Sequence, residues 1–146
     1  MSKVFASNKK AFFDYSFKET LEVGIRLTGP EVKSVKASSV NMSGSFVMIE
    51  NGTLVLKNMH IGPYKPANQE GYNPTGDRDL LAHKKEILRL ALAREKEGLT
   101  IVPTKIYGKG RMVKVEIAIG KGKKKHDKRE DIKKKDIERD LRRGIS

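Results

Sequence analysis

The chain has 146 residues, enough for one domain with a modest core and an appendage. It carries 31 Lys/Arg against 18 Asp/Glu, a formal net charge of +13, and no cysteine. The lack of cysteine excludes disulfides, thiolate metal sites and cysteine nucleophiles. The charge points to a polyanion, and to nucleic acid before an anionic membrane, because the most basic segment lacks aromatics and has a thin apolar face. No run of about 18 apolar residues occurs, and the N-terminal MSKVFASNKK has no apolar signal core, so a soluble cytoplasmic protein is expected.

Alternation dominates residues 12–61. In TLEVGIRLT, Leu21, Val23, Ile25 and Leu27 fall on one face and Glu22, Gly24 and Arg26 on the other, the pattern of a half-buried antiparallel strand. Lys9 and Lys10 come before this strand region. Gly29-Pro30 opens a short helix to about Ala37, because proline suits the first helical position. Lys33 and Lys36 share a face of it at i, i+3. SFVMIENGTLVLKNMHI reads as a hairpin around Asn51-Gly52, a pair that supplies positive φ. GPYKPANQEGYNPTGDRD, with three of the five prolines, reads as a long surface loop.

LLAHKKEILRLALAREKEG predicts a helix whose stripe is Leu80, Leu81, Lys84, Ile87, Leu88, Ala91 and Leu92, ending at Gly98. A second hairpin is centred on Gly108-Lys109-Gly110; beyond it Val113, Val115, Ile117 and Ile119 alternate with Lys114 and Glu116. From Lys121 to Ser146 there are 12 Lys/Arg and 6 Asp/Glu, and the large apolar residues are only Ile132, Ile137, Leu141 and Ile145. That is too little apolar surface to fold alone, so the tail is expected to be disordered when free. As a helix it would place Ile137, Leu141 and Ile145 on one stripe. The chain therefore divides into a folded domain at 1–120 and a tail at 121–146. The domain reads as mainly β, an antiparallel closed barrel of the oligonucleotide-binding type with short flanking helices, although a two-layer α+β sandwich has a similar pattern.

No enzyme constellation is present: no phosphate-binding glycine loop, no GxSxG and no HExxH. His60, His83 and His126 are scattered, so neither a metal nor a cofactor is expected. Lys9, Lys10, Arg26, Lys33, Lys36 and Lys114 on outward faces, with Tyr15, Tyr64 and Tyr107 for stacking, read as an RNA surface. Neutralising about six phosphates would give a salt dependence with a log–log slope of roughly −4 to −5.

The runs NKKAFFDY, TLEVGIRLTGPEVKSVKAS, NGTLVLKNMHIGPY, LLAHKKEI and KVEIAIGKGKKKHDKRE, in this order, closely resemble the SmpB (SsrA-binding protein) family over nearly the whole chain. The resemblance implies a bacterial, non-enzymatic adaptor that binds the tRNA-like domain of transfer-messenger RNA and accompanies it into stalled ribosomes for trans-translation. It implies RNA contacts at Asn8, Lys9, Glu22, Lys33, Leu81 and Lys114. In the tail it implies ribosome contacts at Gly122, Lys123, Lys124, His126, Asp127, Lys128 and Arg129, and Ile145 is grouped with them. The tail would turn helical along the empty mRNA path, with His126 stacking on a small-subunit rRNA base at the decoding centre. Pro30, Gly76, Asp79 and Ala82 depart from the family pattern. A monomer is expected when free, and the rival reading is a permanent structural component of a ribonucleoprotein.

Overall fold

The computed structural model describes residues 2–67, 70–123, 129 and 132. In chain order the described elements are β1 (Ser2–Ser7), α1 (Lys9–Asp14), β2 (Tyr15–Ile25), α2 (Gly29–Lys36), β3 (Val40–Asn41) and β4 (Phe46–Glu50). There follow β5 (Thr53–Lys57), β6 (His60–Ile61), β7 (Arg78–Leu81), α3 (Lys84–Glu97), β8 (Thr100–Lys109) and β9 (Met112–Gly122). The described chain is mainly β and antiparallel.

Two hairpins frame the sheet. Asn51 (φ 50°) and Gly52 (φ 73°) both turn left-handed between β4 and β5, the backbone that matches the twist of the paired strands. The second hairpin turns at Gly110-Arg111, one residue beyond the expected centre, because Lys109 still pairs with Met112. Gly108 lies within β8, where the Phe5 ring comes within 3.2 Å of the place a Cβ would take. Its small size serves packing, and Gly110 (φ 61°) serves the turn.

From β8 the ladders run to β4, β5, β7, β2 and β9, and β9 pairs again with β8. β1 joins β8 along residues 105–109, while β4 meets it at Ile101. β3 and β6 form a separate two-stranded piece. Inward residues of the six linked strands, among them Val23, Leu54, Leu56, Leu80, Ile101, Ile106, Val115 and Ile117, are almost wholly buried. Val35 of α2 and Leu90 of α3 join the same core.

Several elements differ from expectation. β1 carries little alternation and exists because β8 offers it an edge. Lys9 and Lys10 therefore open a helix after a strand instead of preceding the first one. Leu80 and Leu81 belong to β7, and α3 begins only at Lys84. Its inward residues are Ile87, Leu90 and Ala93, whereas Leu88 and Leu92 of the predicted stripe are 61% and 49% exposed. Leucines at 88, 90 and 92 make two faces equally apolar, and packing chose between them. The short helix and its proline behave as expected, with Pro30 in the first turn of α2; Thr28 and Glu31 also cap it reciprocally.

The supposed surface loop contributes the most buried charge. Arg78, 5% exposed, donates from Nε to Glu31 Oε2 (2.7 Å), from Nη1 to the carbonyls of Met59 (2.6 Å) and Gly76 (3.2 Å), and from Nη2 to Tyr72 Oη (3.1 Å) and Pro74 O (2.9 Å). All five guanidinium protons have an acceptor. Burial raises the Glu31 pKa, but hydrogen bonds from the Thr28 N–H, Arg78 and Tyr72 outweigh it and hold the carboxyl below 4.5.

Two expectations follow for stability. Arg78→Met leaves Glu31 buried without its cation and should cost about 3–5 kcal/mol in chemical denaturation at neutral pH. The folded pKa of Glu31 is depressed, so its contribution is present above 4.5 and is lost as pH falls through the folded value. The gap between wild type and Arg78→Met should narrow in acid; a constant gap would show that the Glu31 charge is not the cause. Gly120→Ala would set a Cβ 2.4 Å from Ser16 O and 2.9 Å from Phe17 Cα, both backbone atoms of β2. A loss of about 1–3 kcal/mol is expected, read as a lower denaturation midpoint.

Candidate nucleic-acid interface

Strand register brings distant residues into one line. Leu81, Gly24, Lys114, Tyr107 and Val4 are successive cross-strand partners over β7, β2, β9, β8 and β1. Cross-strand partners share a face, so this row lies on the outside of the sheet. Leu81 and Val4 are each 48% exposed. Leu81 leans over Gly24, its Cβ 3.2 Å from the place a Gly24 Cβ would take. A larger residue at 24 would displace it.

The neighbouring row holds Glu22, Glu116 and Lys105. Glu22 accepts hydrogen bonds from the Tyr107 hydroxyl and from Lys109 Nζ (3.1 Å). The Tyr107 bond, then Lys109, lowers the Glu22 pKa, so it is a fixed acceptor at neutral pH. Burial, then the Glu22 carboxylate, pushes the Tyr107 phenol up. Lys105 Nζ sits 5.4 Å from the Tyr107 ring centroid and 3.4 Å from a Glu116 oxygen.

Glu22, Arg26, Leu81 and Lys114 line a single cleft with His83, Lys84 and Met112. Arg26 stands 3.7 Å from the Asp79 carboxylate, and its backbone N–H donates to Asp79 O (2.9 Å). Asp79, one of the departures from the family pattern, thus anchors Arg26 beside the cleft. The cleft offers cations for phosphate, an oriented carboxylate for hydroxyl or amino donors, and exposed apolar groups for a sugar or base edge.

Other expected residues lie elsewhere. Asn8 is 4% exposed; its Nδ2 donates to Pro103 O (2.9 Å) and its Oδ1 accepts from Ala11 N (3.2 Å). It caps α1 and fastens it to β8, so its amide is engaged within the body. Lys9 and Lys10 are exposed on α1, and Lys33 and Lys36 are exposed on the last turn of α2, where cations suit a helix C-terminus. Neither pair reaches the cleft. Tyr107 is no free stacking platform, since it is 7% exposed. Tyr15 stacks on Phe17, with centroids 6.2 Å apart, and Tyr64 is partly buried.

β9 runs two residues past the expected domain boundary. Gly122 pairs with Tyr15; Lys123 donates from its backbone to Asp14 O (2.7 Å) and from Nζ to Phe12 O (3.2 Å). Gly122 and Lys123 therefore belong to the folded body, and Arg129 is exposed. Lys124, His126, Asp127, Lys128 and Ile145 lie outside the described residues. Among the described residues no group of three or more His, Cys, Asp or Glu could hold a metal ion, and no helix is long and apolar enough to cross a membrane.

His83, Lys84 and Met112 were not expected in the site. The first two follow from where α3 begins, and Met112 from the hairpin turning at Gly110-Arg111; neither boundary has a sharp sequence signal.

The family model described as SmpB protein matches residues 5–146. The SsrA-binding protein of Sulfurihydrogenibium sp. (strain YO3AOP1) is 52% identical over 143 residues, 98% of this chain and 94% of the relative. The SsrA-binding protein of Bacillus pumilus (strain SAFR-032) is 49% identical, covering 98% and 92%. A solved chain described as "tmRNA-SmpB: a journey to the center of the bacterial ribosome" superposes with a TM-score of 0.68 at 40% identity, covering 87% of this chain and 93% of its own. Sequence and backbone agree over most of the chain's length: the chain belongs to the SmpB family.

Proposed function

We propose that this protein is a non-catalytic RNA adaptor of the bacterial cytoplasm. It binds the tRNA-like domain of transfer-messenger RNA through the outer face of β7, β2 and β9 and brings it to stalled ribosomes for trans-translation. The observation that carries this reading is the 40% identity, in a match covering 87% of the chain, to a solved chain described as "tmRNA-SmpB: a journey to the center of the bacterial ribosome". In the cleft, Arg26 and Lys114 take phosphates, Glu22 accepts from a 2′-hydroxyl or base-edge amino group, and Leu81 contributes apolar contact. Lys9 and Lys10, held in place by Asn8, and Lys33 and Lys36 add charge that steers RNA from outside the cleft.

The pairing circuit that returns to β8 supports reading the sheet as a closed barrel of the oligonucleotide-binding type, which would supply a strand face for RNA and leave few free edges. Residues 124–146 form the ribosome-directed segment, entering the mRNA path with His126 at the decoding centre. Gly122 and Lys123 fix where that segment leaves the body. The free protein is a monomer.

Lys114→Glu should weaken binding to the tRNA-like RNA roughly tenfold or more in filter binding at fixed salt. Its melting temperature should stay near wild type, since Lys114 makes no ion pair with the described residues. Lys33→Glu, outside the cleft, should show the smaller loss of a general charge effect; equal losses would argue against the cleft. Ending the chain after Lys123 should leave binding to the tRNA-like RNA within roughly tenfold at moderate salt while rescue of stalled ribosomes is lost. Loss of RNA binding on that truncation, or one copy retained on every purified ribosome, would favour a permanent ribosomal component. Ending it after Ile119 instead removes the pairing of residues 120–122 with β2 and should lower the melting temperature.

A further inference from the structure

A second cleft lies at the other end of α3, between α1, the start of β4 and the start of β8. Lys10, Tyr15, Phe46, Met48 and Arg94 are among its lining residues, with one carboxylate, Asp14. It is separate from the interface above. That cleft takes residues from the first turn of α3 and from the Glu22–Arg26 end of β2; this one takes Arg94 and Gly98 from the far end of α3 and Tyr15 from the other end of β2. A 14-residue helix is about 21 Å long, so the clefts stand several nucleotide lengths apart.

Arg94 is the unusual group in it. Arg26, Arg78 and Arg89 each face a carboxylate, and Arg111 and Arg129, which have no such pair among the described residues, are exposed. Arg94 is half-buried, and its one side-chain partner among the described residues is the Met48 sulfur, 3.4 Å from Nη2. A thioether is a weak acceptor, which leaves most of a partly desolvated guanidinium fork unused. Lys10 also lacks an ion pair among the described residues. Beside these cations stand an aromatic pair, Tyr15 on Phe17, and Phe46, 37% exposed. A guanidinium partnered only by a thioether, next to partly exposed aromatic surface, fits a phosphate joined to a flat base. An acidic peptide would use the cations but not the rings.

We infer that this cleft is a second nucleic-acid site, which takes one unpaired nucleotide of single-stranded RNA. Arg94 and Lys10 hold its phosphate, and Phe46 or Tyr15 packs against its base. The same chain then holds structured RNA at one end of α3 and an unpaired nucleotide at the other.

The test is photo-crosslinking of the full-length protein to a 4-thiouridine-containing hexauridylate, with adducts located by peptide mass spectrometry. Adducts are expected on peptides containing Tyr15 or Phe46. Their yield should fall roughly tenfold in Arg94→Gln and hardly at all in Lys114→Glu. Binding of a tRNA-like hairpin should show the reverse order, which separates failure of this site from failure of the first. Lys10→Gln is the companion variant should Arg94→Gln lower the melting temperature, and it should reduce the same adducts. The proposal falls if adducts form only outside this cleft, if neither variant changes their yield, or if Lys114→Glu abolishes them equally. It also falls if oligoglutamate displaces the oligonucleotide from these positions as well as unlabelled hexauridylate does, which would assign the cleft to an acidic protein partner.

Discussion

The Arg78–Glu31 pair is the constraint on which the other parts of the site depend. Both side chains are removed from water, Arg78 at 4% and Glu31 at 9% exposure. Such burial is tolerable only if every remaining proton and lone pair finds a partner. The structure meets that demand by bending the segment around Pro74 and Gly76 until its carbonyls reach the guanidinium, and by bringing in Tyr72. One ion pair thereby ties α2, the 72–76 segment, β7 and the Met59 carbonyl together. Asp79 and Leu81 lie one and three residues beyond Arg78. Arg26 and the outer row are therefore positioned by a contact that is itself buried.

β2 transmits this placement across the molecule. It is 11 residues long, meets β7 at one end and β9 along most of its length, and bends at a bulge between Phe17 and Glu19. The bulge lets Lys18 and Glu19, adjacent in sequence, reach Glu97 and Arg89 on α3. Two glycines accommodate close approaches along it: Gly120 where the bulged backbone of β2 passes, and Gly24 where Leu81 crosses. These are packing requirements of neighbouring chains and have nothing to do with turns.

Charge is distributed with more purpose than the total suggests. On a protein of net charge +13, Glu22 is kept ionised and oriented by Tyr107 and Lys109, so a basic face carries a built-in acceptor. Among the described residues Lys18, Arg26, Lys57, Arg89, Lys105 and Lys109 pair with carboxylates, while other surface cations, including one in each cleft, form no such pair. Lys114 is such a group in one cleft, and Arg94, facing only a thioether, is one in the other.

The sequence by itself determined whatever depends on near neighbours. The Asn51-Gly52 turn, the Gly29-Pro30 helix start, the Gly98 helix end and the period of two in Leu21, Val23 and Ile25 are local properties of the backbone and were legible in order. Basic charge and the family motifs carried the functional reading. Tertiary structure decided whatever depends on partners far along the chain. β1 is a strand because β8 has an edge, and α3 turns Leu90 inward although Leu88 and Leu92 are equally apolar. Arg78, at the start of β7 after a segment rich in proline and polar residues, became the most connected buried charge among the described residues because Glu31 lies 47 positions away in sequence and adjacent in space. Asn8, which the family resemblance names as an RNA contact, is buried with its hydrogen bonds taken by Pro103 and Ala11. Local propensity acts over a few residues, whereas desolvation and strand register are settled only when the chain closes on itself.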